Sequence, residues 1–308
     1  MDNELNGLVQ SPYGTAYTRI STSAFSCTGR AGHMANIMST RRDCAATVLG
    51  GPTTLIDVGG LRILADPTFD EAGSHGYLFK TTEPAASETD LGPVDLVLIS
   101  HDAHPDNLDI RGRAFALKAP LILSGALSAQ RLGPPAVGLS PWSSRTLPRG
   151  DGLGGLTIMA VPAVHGPEDG ERDVDGHINC ETIGFVVSGQ GLPTIYISGD
   201  NASIRTVAQI SRVIDGIDVA VLFAGAARVP AKFDGRPLSL DSKGAAAAAA
   251  VLGAKIVVPA HYDGWAHFSE GRADIERAFY EAGLSSLLHI AERGNWVPLH
   301  PDARRPCA

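Results

Sequence analysis

Short apolar runs of strand length divide this chain, and the way their connections change along the sequence limits its fold more than any other feature. "TTLIDV" and "LRILAD" flank Gly59-Gly60, and two adjacent glycines tolerant of positive φ predict a hairpin. Then come "DLVLIS" (95–100), "PLILS" (120–124), "LTIMAV" (156–161), "TIGFVVS" (182–188), "TIYISG" (194–199), "DVAVLF" (218–223) and "KIVVPA" (255–260), each reading as a largely buried strand. Helical spacing occupies roughly 202–213, 241–252 and 270–282, with Asp241 placed to cap the second. Strands joined as hairpins in some stretches and separated by helices in others fit neither a wholly parallel sheet nor an all-β sandwich. The pattern predicts an α/β protein in which two mixed β-sheets stack and helices cover their outer faces, an αββα sandwich.

Composition sets the boundaries and excludes partners. The chain has 308 residues, 44% hydrophobic and 19% charged, which is enough apolar material for one large core. Residues 1–50 are rich in Ser, Thr and Gly without periodicity and read as a loosely structured arm; 51–300 form one domain and 301–308 a tail. A net charge of −8 with no Lys/Arg cluster argues against nucleic acid. No apolar run approaches the roughly 20 residues of a membrane helix. The start "MDNELNG" lacks the features of a secretory signal. Four cysteines without CxxC spacing predict reduced thiols rather than a disulfide framework, so the expected location is cytoplasmic.

Several strands end on metal-ligand residue types. "LVLIS" runs into His101, Asp102, His104 and Asp106; "TIMAVPAV" ends at His165, "TIYISG" at Asp200 and "KIVVPA" at His261. Strand ends hold side chains at fixed separations, as a metal requires. Imidazole and carboxylate suit zinc first, with manganese or iron as alternatives. Three histidines with a carboxylate fill one site, and the further carboxylate is enough to bridge a second ion, so one or two ions per chain are expected. GxSxG and GxxxxGK[ST] are both absent, which leaves serine-hydrolase and phosphate-loop chemistry unsupported.

The order of these groups resembles the metallo-β-lactamase superfamily, in which HxHxDH is followed by His, Asp and His at later strand ends. The resemblance spans about residues 50–295. "TTLIDVGGLRILADPTF" is similar to that family's opening hairpin and ends near Asp66; "SHDAHPDNLD" resembles an HDxHxDNLD variant near the ascorbate-6-phosphate lactonase-like group. Two registers are open. In one, Asp102 takes the place of the first histidine; in the other, His101 keeps it and the loop carries one extra residue. The second is favoured because His101 stands directly at the strand end. In either, Asn107 occupies the position of the motif's last histidine and is a poorer ligand, so the second ion is expected to bind weakly.

The resemblance implies a hydrolase in which metal-bound hydroxide attacks an ester, lactone or phosphoester of a small molecule, as a lactonase, esterase or phosphodiesterase would. Its ligand set is His101, His104, Asp106, His165, Asp200 and His261, with Asp106, Asp200 and His267 as catalytic candidates. Asp66, Asp102 and Asn107 are the supporting or alternative ligands. Two other readings stand beside it: a degenerate metal-binding module, which Ala103 and Asn107 favour, and an iron redox enzyme of the same fold. Blander roles compete residue by residue. Asp200 is placed to cap the helix near Ser203, Asn107 and Asp109 suit a turn or a cap, and Trp265 and His267 suit packing. His33, His75, His177, His289 and His300 read as surface residues. Oligomeric state is not legible.

Overall fold

A computed structural model describes residues 38–300. Its first half contains β1 (Cys44–Gly50), β2 (Thr53–Val58), β3 (Leu61–Ala65), β4 (Gly73–His75), β5 (Leu78–Lys80), β6 (Leu96–Ile99), α1 (Ile110–Ala116), β7 (Ile122–Gly125), α2 (Ala126–Leu132) and β8 (Ala136–Leu139). The second half contains β9 (Ser144–Pro148), β10 (Gly155–Pro162), β11 (Ile183–Gly189), β12 (Ile195–Ile197), α3 (Ile204–Val213), β13 (Val219–Phe223), α4 (Ser242–Leu252), β14 (Ile256–Ala260), α5 (Arg272–Glu281) and β15 (Val297–Pro298). One sheet runs β15-β1-β2-β3-β6-β7-β8 and the other β14-β13-β12-β11-β10-β9, with β4 and β5 as a separate small ribbon. Each large sheet is antiparallel at one end and parallel at the other, as β3-β6-β7-β8 and β12-β13-β14 show.

The layers follow from strands that are apolar on both faces. Along β11, Ile183, Phe185 and Val187 enter the core between the sheets, while Val186 faces the helices. The inter-sheet core also takes Ile56, Ile63 and Leu98 from the first sheet and Ile197 and Val221 from the second. A second core lies under the helices, where the alanines of α4 let it press closely on Tyr196, Ala220 and Val257. A third packs Phe69, Leu108 and Ala116 on the outer face of the first sheet. This is the expected αββα sandwich. Among the described residues no helix is long and apolar enough to cross a membrane.

Part of the expected arm is structured. Residues 44–50 form β1, which pairs with β2 and β15 inside the first sheet. "CAATVLG" is buried on both faces, so it lacks the alternation that marks a half-exposed strand. The rest of that arm up to residue 37, His33 included, and the tail 301–308 lie outside the described residues. The chain ahead of β1 is tied down by a buried ion pair. Arg62 is fully buried, donates to both oxygens of Asp57 at 2.7 Å, and donates to the carbonyls of Met38 (2.8 Å), Ser39 (3.2 Å), Thr40 (3.1 Å) and Leu91.

Candidate metal centre

The loop from β6 to α1 supplies three of the ligand candidates, His101, His104 and Asp106, and one carboxylate fixes its shape. Asp109 caps α1 by accepting from Gly112 N (2.7 Å), accepts from the backbone of Phe69 (2.9 Å) and Asp70 (2.7 Å), and pairs with buried Lys80 at 3.1 Å. Asp109 is therefore a cap and a tether. Gly112 permits the arrangement, because a Cβ there would lie 1.8 Å from the Pro67 carbonyl.

His101, His104 and His165 converge from both sheets. His104 Nδ1 lies 2.9 Å from His101 Nε2 and 3.0 Å from His165 Nε2. His165 comes from the loop after β10 and donates through Nδ1 to the Leu238 carbonyl (2.9 Å), which leaves a lone pair on Nε2. Burial pushes His104 down to about 4 and holds His101 and His165 well below their ordinary value, with mutual repulsion among the imidazoles adding to it. All three rings are thus neutral at pH 7. One proton on His104 Nδ1 can satisfy one of its two contacts and leaves the other nitrogen facing it without a bond. A cation satisfies all three.

The second group comprises Asp106, Asp200 and His261. His261 Nε2 is 3.1 Å from Asp106 Oδ2 and 3.3 Å from Asp200 Oδ1, while Asp200 Oδ2 is 3.6 Å from His165 Nε2 and so stands between the two groups. His261 follows β14 with a left-handed backbone (φ 57°) and stacks on Phe223, ring centroids 5.1 Å apart. Gly225 accommodates this turn, since a Cβ there would meet the His261 carbonyl at 2.1 Å.

The carboxylates differ sharply in proton affinity. Burial alone would raise Asp106, but the neighbouring His267 and the hydrogen bonds from His261 and His267 hold it well below the usual range. Asp200 goes the other way, raised by burial and by the charges of Asp106 and Asp66. Two groups bound to one ion at about 2.0–2.2 Å stand about 2.8–3.6 Å apart at angles between square and tetrahedral. The nitrogen–nitrogen and nitrogen–oxygen separations here fall largely in that interval, and buried Asp200 Oδ1 has no hydrogen-bond partner. The residues present fit one or two divalent ions.

The supporting residues sort as follows. Asp66, at the end of β3 (φ 44°), accepts from Ser100 N at 2.7 Å and so fixes the start of the His101 loop; burial pushes its carboxyl to about 7. Asp102 turns away from the site and binds Arg113 at 3.0 Å and Arg131, whereas His101 faces it. Asn107 is buried, with Nδ2 3.5 Å from Ser100 Oγ, and its amide lowers the carboxyls of Asp66 and Asp200. Asp200 is not a helix cap; Ser203 caps α3 by accepting from Thr206 N. Trp265 packs near Gly51 and Lys80, with its ring 6.3 Å from that of His267, whereas His267 Nε2 itself reaches Asp106 Oδ2 at 3.0 Å.

Sequence reasoning missed four neighbours. Cys180 Sγ lies within 4.8 Å of the ligand nitrogens of His101, His104 and His165, so the cluster is not free of cysteine. Lys232 Nζ donates to Asn179 Oδ1 at 2.8 Å, lies 3.4 Å from His104 Nε2 and sits over the Tyr77 ring at 5.5 Å. "HINCE" and "PAKFDGRP" are irregular loops with no periodicity to place them. Tyr77 and Lys232 line a small pocket of about 10 Å³ together with Leu78, Val229, Leu238 and side chains of the metal centre.

Residues 61–262 match the β-lactamase superfamily domain. A UPF0173 metal-dependent hydrolase of Methanosphaerula palustris is 32% identical over 211 residues, 67% of this chain and 78% of its own. A possible metal-dependent hydrolase from Veillonella parvula superposes with a TM-score of 0.71 at 16% identity, over 84% of this chain and 100% of that one. An isothiocyanate hydrolase from Delia radicum gut bacteria does so at 0.70 and 20%, over 82% and 98%. Those two structural likenesses establish the fold. With the sequence match across most of the same span, the chain belongs to the β-lactamase superfamily, among its metallo-β-lactamase-fold members.

Proposed function

We propose that this protein is a metal-dependent hydrolase acting on a small molecule at an ester, lactone or phosphoester centre. The observation that carries the reading is the convergence of three neutral imidazoles and the Asp106–Asp200–His261 group on one floor, at separations suited to ligands of shared ions. His101, His104 and His165 would hold one ion and Asp106 and His261 the other, with Asp200 between them. Zinc is the first candidate by ligand type, with manganese or iron next. Bound there, such ions lower the pKa of water towards neutrality and offset negative charge that develops on the substrate.

The chain's own residues supply the rest. Leu78, Val229 and Leu238 supply the apolar part of the pocket lining beside the centre. Lys232, fixed by Asn179, presents a cation beside the floor, where it can face a developing oxyanion. The net charge of −8 and the narrow cavity both support a small molecule over a nucleic acid. The test is elemental analysis of the purified protein, then a panel of chromogenic esters, lactones and phosphodiesters assayed with metal-stripped and reconstituted enzyme. Metal-dependent turnover of one class is expected. Failure to take up any ion, or turnover indifferent to metal, would overturn the reading.

A further inference from the structure

We infer that Cys180 is the fourth protein ligand of the three-histidine half of the centre and binds its ion through sulfur. The inference rests on the metal-centre reading above. Cys180 Sγ and the facing nitrogens of His101, His104 and His165 all lie within 4.8 Å of one another. Around a tetrahedral ion, sulfur at about 2.3 Å and imidazole nitrogen at about 2.0–2.1 Å stand about 3.5–3.6 Å apart, inside that limit. Charge points the same way. Three neutral imidazoles give a buried divalent ion no counter-charge, and Lys232 Nζ, 3.4 Å from His104 Nε2, adds to the positive charge there. Asp200 offsets part of it, with Oδ2 3.6 Å from His165 Nε2 and Oδ1 buried without a partner. A thiolate at Cys180 supplies the rest.

The backbone around Cys180 is pinned on both sides, which fixes the sulfur beside the rings. Before it, Asn179 has a left-handed backbone (φ 66°) and accepts from Lys232 Nζ at 2.8 Å. After it, Glu181 accepts from Leu127 N (2.9 Å) and Ser128 N (3.1 Å) at the start of α2. Ile183 N donates to the Ser100 carbonyl at 3.1 Å, directly before His101. Thr182 Oγ1 stands 3.7 Å from Sγ, where its hydroxyl can donate to a sulfur that has lost its proton. Three imidazoles and a thiolate form a closed tetrahedral set, the kind that holds an ion for structure. The position open to water then falls to the Asp106–Asp200–His261 half. Sulfur also favours zinc over manganese at the three-histidine half.

The rival account is that Cys180 only fills space beside the rings. Metal-stripped wild type, Cys180→Ser, Cys180→Ala and, as a control, Cys44→Ala would be titrated with Co²⁺. Near-ultraviolet absorption would be followed for charge transfer from thiolate to Co²⁺, and bound metal counted after dialysis. Wild type and Cys44→Ala should develop this band in step with one bound ion per chain. Both Cys180 variants should lack it. They should still take up Co²⁺ through the remaining ligands, which also reports that they are folded, but should hold one ion at least about tenfold more weakly.

Wild type that binds Co²⁺ without the band, or a band that persists in Cys180→Ala, would overturn the inference and leave the metal centre standing. Unchanged affinity in both Cys180 variants would overturn it too. Wild type that takes up no Co²⁺ would overturn the metal-centre reading itself, and this inference with it.

Discussion

Single side chains here have consequences out of proportion to their size because so many are charged and buried. Arg62 has no exposure and six hydrogen bonds converge on its guanidinium from Asp57 and four carbonyls. Arg62→Met would remove the cation from buried Asp57 and leave it only the Arg42 N–H at 2.7 Å, a loss of about 3–5 kcal/mol. Chemical denaturation of the metal-stripped protein measures it. Asp102→Ala provides a contrast. Its partners Arg113 and Arg131 are partly exposed, so their loss of a carboxylate should cost only about 1 kcal/mol. Metal content should stay unchanged, whereas the register that makes Asp102 a ligand requires an ion to be lost. Proton linkage has a definite sign. His101, His104, His165 and His261 all have folded-state pKa values below the ordinary value of 6.5, His104 near 4. Between about 4 and 6.5 the unfolded chain binds more protons, so the metal-free protein should lose stability as pH falls through that window. Asp66, raised to about 7, opposes this, since its contribution is present at low pH and lost as pH rises. Asp66→Asn should therefore steepen the acid loss, as thermal midpoints measured between pH 4 and 7 would show.

At the scale of elements, the ends of strands matter more than their middles. Gly225→Ala would drive a Cβ to 2.1 Å from the His261 carbonyl, so His261 should shift and metal affinity should fall at least about tenfold while the sandwich persists. Asp241→Ala removes the carboxylate that accepts from Gly244 N at the start of α4 and should cost about 1 kcal/mol without touching metal binding. These elements also mark what a sequence discloses. The strands buried on both faces and the capped helix α4 were legible, because continuous apolar runs and an Asp before an alanine-rich stretch leave local signals. So was the sequence of residues at the ends of β6, β10, β12 and β14, whose order matches a family pattern. The strand β1 was not, since small residues buried on both sides carry no period, nor were β8 and β9, short strands at the sheet margins with exposed positions. Orientation is invisible locally as well. Asp102 and Asp106 look alike in "HDAHPDN", yet one faces two arginines and the other two histidines. Cys180 and Lys232 reach the centre only through loops that tertiary packing folds over it, whereas His267, on such a loop too, was among the sequence's catalytic candidates.

For the whole molecule, the centre lies across the join between the sheets. Asp66, His101, His104 and Asp106 follow strands of the first sheet, whereas His165, Asp200 and His261 follow strands of the second. Ions held by both sets would cross-link the halves, so saturating metal should raise the thermal midpoint, by about 2.7 kcal/mol of added stability at 100 times Kd. Calorimetry with and without chelator measures it. The cross-link also bears on the fate of the protein. Stripped of cations, the join keeps the carboxyl groups of Asp66, Asp106 and Asp200 buried close together without the ions that would balance them, so it is expected to open more readily than the apolar cores. A protease added to the metal-free chain should cut the loops that end at this join before any other covered backbone, and the same loops should survive once metal is restored. Lifetime, not only turnover, would then follow the supply of ions: a copy made under metal starvation would be the more readily degraded for its open join.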